Sequence, residues 1–329
     1  MTDLASIRDV AKKANVAACT VSRVMNGTAN VAPETRQKIE DAMKELNYIP
    51  NELARGMFRQ KSGTVAMLIP SIRHPYFSNL AHCIESKLYE KGYKLMLCST
   101  DGQIEREREY INILKTNIVD GVIMGVSDLD DNEYQQFDKP MIMLDYDAGK
   151  KLPIVVSDHE KGGRLAAEKF MESQCRYVIH IGDRELSKVE SYKCHTALAD
   201  TLNAAGIESR FIEIKWNEFD FSGYLEIAKT ILEKYPQVDG VMAADIQAAA
   251  FLKAALKLGK KIPDDFALVS YDGTYVADVN LVNVTSIIQS ADKIGDKTVE
   301  VLLKLMAGQK LTKRKYLIDV VRKDGETTK

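Results

Sequence analysis

The sequence predicts a small all-α head joined to a two-lobed α/β body built on doubly wound parallel sheets. Residues up to about 47 carry apolar side chains at helical spacing. From Thr64 onward, short β-rich apolar runs alternate with amphipathic helices, the pattern of parallel sheets with helices on both faces. The alternation occurs as two series, so we expect two similar lobes with a cleft between them.

The start of the head predicts two short helices with a tight corner at Asn15, a residue type that tolerates a left-handed conformation. Each helix has an apolar stripe at helical spacing, formed by Val10, Ala11 and Ala14 in the first and by Val21, Val24 and Met25 in the second. The outer face of the second helix consists of small or polar residues: Ala18, Cys19, Ser22 and Arg23. Such a face can enter a DNA major groove, although an ordinary helical hairpin fits the spacing equally well.

A third helix is expected over residues 32–47, because Pro33 suits a first helical position. Its core stripe consists of Ile39, Met43 and Leu46. Pro50 disfavours helix in the residue before it and so marks the end. The segment 51–58 is helix-like with Asn51 as a candidate N-cap, but it is short enough to need packing or binding for its order.

The body contains nine clear strand candidates, with amphipathic helices between or after them. The strands are expected at 65–70, 93–99, 121–126, 141–145 and 154–157, and then at 177–182, 211–214, 240–244 and 267–271. The helices are expected near 76–90, 103–115, 159–173, 188–205, 221–234 and 246–259. Ligands of such sheets lie beyond the carboxyl ends of the strands, so the loops at those ends are the candidate binding site.

Domain boundaries follow from these elements. We expect a helix-turn-helix head at 1–50, a hinge helix and linker at 51–63, and a binding and dimerisation domain at 64–329. Within that domain the first lobe is expected at about 64–158 plus 289–316, and the second at about 159–288 plus 317–329.

Composition is typical of a soluble globular protein, with 45% hydrophobic and 28% charged residues. No apolar run approaches the length of a membrane span, and the N-terminus lacks the apolar core of a signal peptide. The five cysteines are scattered without CxxC spacing, which indicates reduced thiols in the cytoplasm. Residues 1–61 hold ten Lys or Arg against seven Asp or Glu, a modest excess that suits contact with phosphates.

Several runs of the chain are similar to the lactose/galactose repressor (LacI/GalR) family of bacterial transcription regulators. The head matches at Ile7-Arg8-Asp9-Val10-Ala11, Thr20-Val21-Ser22-Arg23-Val24-Met25-Asn26-Gly27, Pro33-Glu34-Thr35-Arg36, Leu46-Asn47-Tyr48-Ile49-Pro50-Asn51 and Leu53-Ala54-Arg55-Gly56. Weaker matches continue through the body, among them Asp158-His159-Glu160-Lys161-Gly162-Gly163 and Ser270-Tyr271-Asp272-Gly273. The body thus resembles the family's sensor, which is similar in fold to periplasmic sugar-binding proteins.

The resemblance implies a homodimer that binds a near-palindromic double-stranded DNA operator. Thr20, Ser22 and Asn26 are then expected on phosphates and Arg23 on a base edge, with the small Ala18 and Cys19 at the variable base-contacting positions. Ile7 and Tyr48 complete the expected DNA contacts of the head. The hinge helix is expected to enter the minor groove through Asn51, Leu53, Ala54 and Met57, with Met57 as the apolar wedge.

Two alanines replace residues that commonly cap helices in this family. Ala17 precedes the second helix where a serine is usual, and Ala32 precedes Pro33 where serine or threonine is common. A lost cap generally costs about 1 kcal/mol. Both changes weaken helix ends without altering the face expected to contact DNA.

The resemblance also implies a sugar-like small-molecule effector in the cleft. The expected contacts are Tyr76, Phe77, Asp145, Lys188, Glu190, Trp216, Phe219, Asp245 and Asp272. For Phe77 a plain core role is an equal alternative, as packing is for Trp216 and Phe219, and loop capping is the alternative for Asp272. Ala244 stands beside Asp245 where many members carry a polar residue.

The segment 187–194 departs most from the family. Glu190 aligns with an arginine that commonly clamps ligand oxygens, and Lys193 aligns with a glycine. A carboxylate cannot donate as a guanidinium does. Three explanations stay open: the ligand carries an amine, Lys188 replaces the arginine, or the local alignment is shifted.

No catalytic set, metal site or cofactor motif is expected. The five histidines lack HExxH spacing, His180 is expected in a strand as a core residue, and no GxSxG or Gly-rich phosphate loop occurs. An exported solute-binding protein is an alternative that the head argues against. Within the regulator class, the alternative is control by a partner phosphocarrier protein. The charged C-terminal segment lacks leucine heptads, which favours a dimer over a tetramer.

Overall fold

The computed structural model divides the chain into two compact units, Met1–Gly63 and Thr64–Lys329. It describes residues 5–26, 31–48, 61–116, 118–127, 129, 133–134, 137–149, 152–183, 189–214 and 221–329. No helix among these residues is long and apolar enough to cross a membrane.

The described residues of the head form three helices, α1 (Ile7–Lys13), α2 (Ala18–Asn26) and α3 (Pro33–Glu45). Ser6 begins α1 with a capping box, in which its hydroxyl accepts from the amide of Asp9 while the Asp9 carboxylate accepts from the amide of Ser6. The amide groups of Thr20 and Val21 donate to the carbonyl of Ala17 at the start of α2. Ala32 occupies the N-cap of α3 and makes no side-chain cap.

Both expected apolar stripes of the head point inward. The buried core consists of Val10, Ala11, Ala14, Val21, Val24, Ile39 and Ala42. Asn15 adopts a φ of 52° at the corner between α1 and α2, which confirms the left-handed conformation expected there. The three helices thus pack on one small core, and the outer face of α2 is left for contact with another molecule.

The first sheet of the body is entirely parallel. Its strands are β1 (Thr64–Ile69), β2 (Lys94–Ser99), β3 (Gly121–Met124), β4 (Met141–Leu144), β5 (Ile154–Ser157) and β11 (Lys315–Ile318), in the order β11-β5-β4-β3-β1-β2. β1 pairs with both β2 and β3, so that Val65 lies opposite Leu95 and Gly121. β3, β4 and β5 are buried along their whole length, as expected for strands covered on both faces.

The second sheet repeats this arrangement with one antiparallel edge. Its strands are β6 (Tyr177–Gly182), β7 (Glu208–Glu213), β8 (Gly240–Ala244), β9 (Ala267–Asp272), β10 (Thr285–Gln289) and β12 (Val320–Lys323), in the order β12-β10-β9-β8-β6-β7. Only β12 runs antiparallel to its neighbour. Helices pack on both sheets, at Pro75–Glu90, Ile104–Leu114, His159–Glu172, Lys193–Ala204, Phe221–Lys234, Asp245–Lys257 and Ala291–Met306.

The chain crosses between the two sheets three times, after β5, after β10 and between β11 and β12. The predicted lobe limits are wrong by up to two residues: Leu317 and Ile318 lie in the first sheet, and Gln289 lies in the second. In each case the strand continues its backbone pairing past the predicted limit, to Ser157 opposite Ile318 and to Val320 opposite Gln289.

Some elements differ from the expectation for reasons of burial. β7 begins at Glu208, three residues before the apolar run that predicted it, because an edge strand carries alternating polar residues. The helix expected from residue 188 is divided into a 3₁₀ turn at Glu190–Tyr192 and the helix Lys193–Ala204. β10, β11, β12 and the helix Ala291–Met306 were not among the predicted elements.

Candidate functional site

The outer face of α2 presents the side chains expected to contact DNA. Cys19 and Arg23 are exposed, and Ala18, Thr20 and Ser22 are half-buried. Ala18 also packs against the edge of the head core. Arg23 is therefore the long cation on this face, next to small groups, an arrangement that admits close approach to a polyanion.

Ile7 and Tyr48 lie at the margin of the head core. Both side chains are partly buried and pack against it, and Tyr48 also borders a shallow groove with Glu40, Met43 and Lys44. Their packing gives them a structural role whether or not they touch DNA. The side chain of Asn26 and the hinge residues Asn51, Leu53, Ala54 and Met57 lie outside the described residues.

A cavity of about 820 Å³ lies in the body, where the carboxyl ends of strands from both sheets meet. Tyr76, Phe77, Asp145 and Asp272 line it, as the sequence led us to expect. The lining also contains polar residues outside the expected set, namely His74, Ser191, Tyr192, His195, Gln247 and Gln289. A site of this size at strand ends suits a small polar organic ligand.

The aromatic part of the cavity wall is held by the start of the helix Pro75–Glu90. His74 caps this helix, its Nδ1 accepting from the amide of Tyr76 at 3.3 Å. Burial lowers the pKa of His74 to about 4, so the imidazole is neutral and free to accept. Phe77 meets the rings of both His74 and Tyr76 edge-on, and it packs against the first-lobe core while lining the cavity.

Asp145 is held by a hydrogen-bond chain that links the two lobes. Its Oδ1 accepts from His159 Nε2 at 2.5 Å, and its Oδ2 accepts from the amide of Ser191 at 3.1 Å. His159 Nε2 donates to this carboxylate, which only accepts, and His159 Nδ1 lies 2.8 Å from the Tyr271 hydroxyl. Asp145 has a φ of 56°, in the left-handed region.

Asp272 lies on the opposite wall and is fixed by a glutamine. Gln289 Nε2 donates to its Oδ1 at 2.7 Å, and Gln289 Oε1 accepts from the Ser157 hydroxyl at 2.8 Å. Asp272 is buried with a φ of 104°. Burial raises the pKa of Asp272 well above its ordinary value, and the nearby charge of Asp245 raises it further. Asp272 can therefore present a protonated carboxyl that donates as well as accepts.

Asp245 does not line the cavity, so the prediction that placed it there is wrong. Its carboxylate accepts from the amide of Gly273 at 3.3 Å and from the amide and hydroxyl of Thr274 at 2.5 and 2.6 Å. Burial raises the pKa of Asp245 and outweighs these hydrogen bonds, which act to lower it. Asp245 thus caps the loop after β9, the role that the sequence left open for Asp272.

Glu190 also lies outside the cavity lining. Its Oε2 accepts from Lys193 Nζ at 2.7 Å and from Lys315 Nζ at 2.6 Å. Burial acts to raise the pKa of Glu190, but the two ammonium groups outweigh it and the pKa is lowered. Glu190 therefore joins the two lobes by an ion pair, since Lys315 begins a strand of the first sheet, and it does not replace the family's ligand-clamping arginine.

Two neutral histidines stack on each other in the second lobe, and one of them, His195, lines the cavity. His180 and His195 stack with centroids 5.3 Å apart, and their Nδ1 atoms are 3.1 Å apart. Burial lowers the pKa of His180 to about 4 and that of His195 to about 3. One Nδ1 must then donate to the other. His180 is a packed core residue as expected, whereas His195 reaches the cavity from a helix that the sequence did not connect with the site.

The remaining expected effector residues, Lys188, Trp216 and Phe219, lie outside the described residues. Among the described lining residues the charged side chains are acidic, and the histidines His74 and His195 have lowered pKa values. No group of three metal-ligating side chains occurs in the described part of the chain. The arrangement suits hydrogen bonding to hydroxyl groups, with aromatic rings available for sugar faces.

Comparison with known proteins identifies both units. Residues 6–51 match the model of bacterial regulatory proteins of the lacI family, and residues 167–328 match a periplasmic binding protein-like domain. The ribose operon repressor of Halalkalibacterium halodurans is 35% identical over 329 residues, covering 99% of this chain and 98% of the relative.

Solved structures agree with this fold. A periplasmic binding protein/LacI transcriptional regulator from Alkaliphilus metalliredigens, complexed with D-xylulofuranose, is 28% identical with a TM-score of 0.74, covering 81% of this chain and 99% of that one. The lac repressor dimer bound to operator and the anti-inducer ONPF has a TM-score of 0.85 at 24% identity, covering 98% of each chain.

Proposed function

This chain belongs to the lacI family of bacterial regulatory proteins, and we propose that it represses a sugar-catabolic operon as a homodimer switched by a neutral sugar. The observation that carries the proposal is the end-to-end similarity to a ribose operon repressor, which spans the DNA-binding head and the ligand-binding body alike. A cytoplasmic location follows from an operator as the target.

The head supports specific DNA binding through α2. Short polar groups at Thr20 and Ser22 suit phosphates, which fix the register of a recognition helix, and the Arg23 guanidinium suits the O6 and N7 acceptors of a guanine. Ala18 and Cys19 leave room for a thymine methyl group. A two-fold symmetric protein requires a near-palindromic operator.

The body supports a dimer through an apolar patch on the second lobe. The patch consists of Tyr275, Val279 and Leu281, which are 67%, 71% and 96% exposed. Three large apolar side chains this exposed within seven residues are unusual for a monomer surface. A second copy of the chain is the proposed occupant, in keeping with the lac repressor dimer of the same fold.

The dimer is tested by sedimentation equilibrium of the full chain. Leu281→Lys is expected to shift the protein toward monomer because it places a charge in the interface, whereas Ile113→Lys, at an exposed site of the first lobe, leaves the mass unchanged. A Leu281→Lys protein that stays dimeric would remove this patch from the interface.

The cavity supports a neutral sugar as effector. Relatives of the same fold include a ribose operon repressor and a regulator complexed with D-xylulofuranose, both concerned with pentoses. The described lining offers carboxyls, amides and neutral imidazoles, which suit the hydroxyl groups of a sugar. D-Ribose and D-xylulose are therefore the first candidates.

Two measurements test the function as a whole. Selection of duplexes from a randomised library should yield near-palindromic sites whose binding weakens steeply with salt. A thermal-shift screen should find that a neutral sugar raises the melting temperature of the protein. The screen covers D-ribose, D-xylulose, sucrose, amino sugars, nucleosides and sugar phosphates, with a phosphocarrier protein as a separate arm. Binding only to the phosphocarrier, or only to sugar phosphates, would replace the effector proposal.

A further inference from the structure

We propose that Gln247 is a specificity-determining residue of the cavity, and that its side-chain carbonyl accepts a hydrogen bond from a hydroxyl of the bound sugar. The inference rests on the proposed function, because it assumes a hydroxyl-bearing effector. Gln247 lies in the first turn of the helix Asp245–Lys257, which follows β8 directly, and its side chain lines the cavity.

The position of Gln247 compensates for a missing polar group at Ala244. Ala244 ends β8 at the cavity and carries no hydrogen-bonding side chain. Residues three apart at the start of a helix lie on the same side, so the amide of Gln247 occupies the part of the wall that Ala244 leaves apolar. Asp245, between them, points away to cap the loop at Gly273 and Thr274.

The carbonyl of Gln247 is left without a protein partner. Its Oε1 is one of two buried side-chain polar atoms without a hydrogen-bond partner in the described part of the chain, the other being Thr298 Oγ1 in the helix Ala291–Met306. Only Gln247 of these two lines the cavity. A buried acceptor without a partner is costly, so a ligand that donates to it gains affinity.

A second glutamine in the same cavity shows the contrast. Gln289 has both ends of its amide occupied, donating to Asp272 and accepting from Ser157. Gln289 is therefore a positioning residue for Asp272, whereas Gln247 has its hydrogen-bonding capacity available. The two glutamines predict opposite responses to the same substitution, which provides a matched pair of variants.

The ligand group that fits Gln247 Oε1 is a hydrogen-bond donor. A hydroxyl group is such a donor, and it also suits the neighbouring carboxyls of the cavity. Asp145 already accepts from His159 and Ser191, and Gln247 supplies a further acceptor to the cavity wall. A site with a polar group placed for one hydroxyl rejects the analogue that lacks it, because the group then stays unpaired. Gln247 would thus select among sugars that differ at one hydroxyl.

The test uses the full chain and two variants, Gln247→Met and Gln289→Met, which keep side-chain length while removing the amide. Calorimetric titration with D-ribose, D-xylulose and sucrose, followed by monodeoxy analogues of whichever sugar binds, gives the affinities. Melting without sugar gives stability. Gln247→Met should weaken the affinity for the sugar about tenfold or more and should keep or raise the melting temperature. Gln289→Met should lower the melting temperature.

The deoxy series identifies the hydroxyl. One monodeoxy analogue should bind wild type and Gln247→Met with the same affinity, because its missing hydroxyl is the group that Gln247 contacts. If a sugar binds wild type and Gln247→Met equally, or if Gln247→Met lowers the melting temperature as Gln289→Met does, this inference is overturned and the proposed function stands. If wild type binds none of the sugars, the effector proposal itself fails, and the inference with it.

Discussion

The head and the body use polar side chains in opposite ways. In the head, Cys19 and Arg23 are exposed on a helix whose other side packs on a small core. In the body, His159 and Asp272 are buried and Asp145 is half-buried, and each is fixed by another side chain.

The difference shows where each unit keeps its specificity. A DNA-contacting side chain needs only to be exposed on a rigid helix, so changing it should alter binding and leave stability alone. A cavity side chain that is fixed by other side chains, as Asp145 and Asp272 are, should alter stability first when it is changed. The following variants test this contrast, from the largest expected effect to the smallest.

His159→Phe should cause the largest loss of stability. It removes the side-chain partner of the half-buried Asp145 carboxylate and of the buried Tyr271 hydroxyl. We expect the free energy of unfolding to fall by about 2–4 kcal/mol, measured by urea denaturation. His82→Phe, at an exposed position, is the control and should stay within about 0.5 kcal/mol of wild type. An equal effect of the two variants would show that the Asp145–His159–Tyr271 chain contributes nothing.

The stacked histidines should make the body sensitive to acid. The folded-state pKa of His180 is lowered to about 4, whereas the unfolded chain titrates near 6.5, so between these values the unfolded state binds more protons. The stabilisation that neutral His180 gives the folded body is fully present above pH 6.5 and is lost as the pH falls toward 4. For each such histidine, the free energy of unfolding should fall by about 2 kcal/mol between pH 7 and pH 5.

His180→Gln tests this dependence. The difference in unfolding free energy between pH 7 and pH 5 should shrink by about 2 kcal/mol in the variant, whatever its absolute stability. His82→Gln should keep the wild-type difference. If His180→Gln also keeps it, the pKa of His180 in the folded body lies close to its value in the unfolded chain.

Arg23→Ala tests the opposite behaviour of the head. Removing the guanidinium should reduce the preference for operator over random DNA about tenfold, measured by fluorescence anisotropy at fixed salt, because one bidentate base contact is lost. The free energy of unfolding should stay within about 0.5 kcal/mol of wild type.

Lys38→Ala is the matched control, since Lys38 is an exposed cation of the same unit on α3. It should leave the preference for operator unchanged. Equal losses by Arg23→Ala on operator and on random DNA would show that Arg23 holds a phosphate and does not contact a base.

Ala17→Ser should give the smallest effect, and a stabilising one. A serine before α2 can accept from the amide of Cys19 in the first turn, which should stabilise the helix by about 0.5–1 kcal/mol. Slower hydrogen exchange at Cys19 would report it. Unchanged exchange would show that another group already satisfies this amide.

The head was predictable because its signals are local. The stripes, the corner at Asn15 and the exposed Arg23 all follow from residues within a few turns of each other, and the structure has them as expected. The alternation of apolar runs and helices likewise predicted nine of the twelve strands that the structure describes in the body.

The cavity was only partly predictable because its partners come from distant parts of the chain. Asp145 and Asp272 lie at the ends of strands, and Tyr76 and Phe77 begin the helix after β1, so position along the chain indicates them. Glu190 was assigned to the cavity because it aligns with the family's arginine, and its partner Lys315 lies 125 residues further along, where the local sequence gives no sign of it. Gln247 and His195 lie on helices, where nothing local distinguishes a cavity residue from a surface one.

The central claim is that a sugar in the body changes the affinity of the head for DNA. The most direct test is the dissociation constant of the selected operator, measured by fluorescence anisotropy with and without a sugar that calorimetry shows to be bound. We expect a change of about 5- to 150-fold, which corresponds to a coupling free energy of about 1–3 kcal/mol. The same dissociation constant with and without the bound sugar would contradict the account.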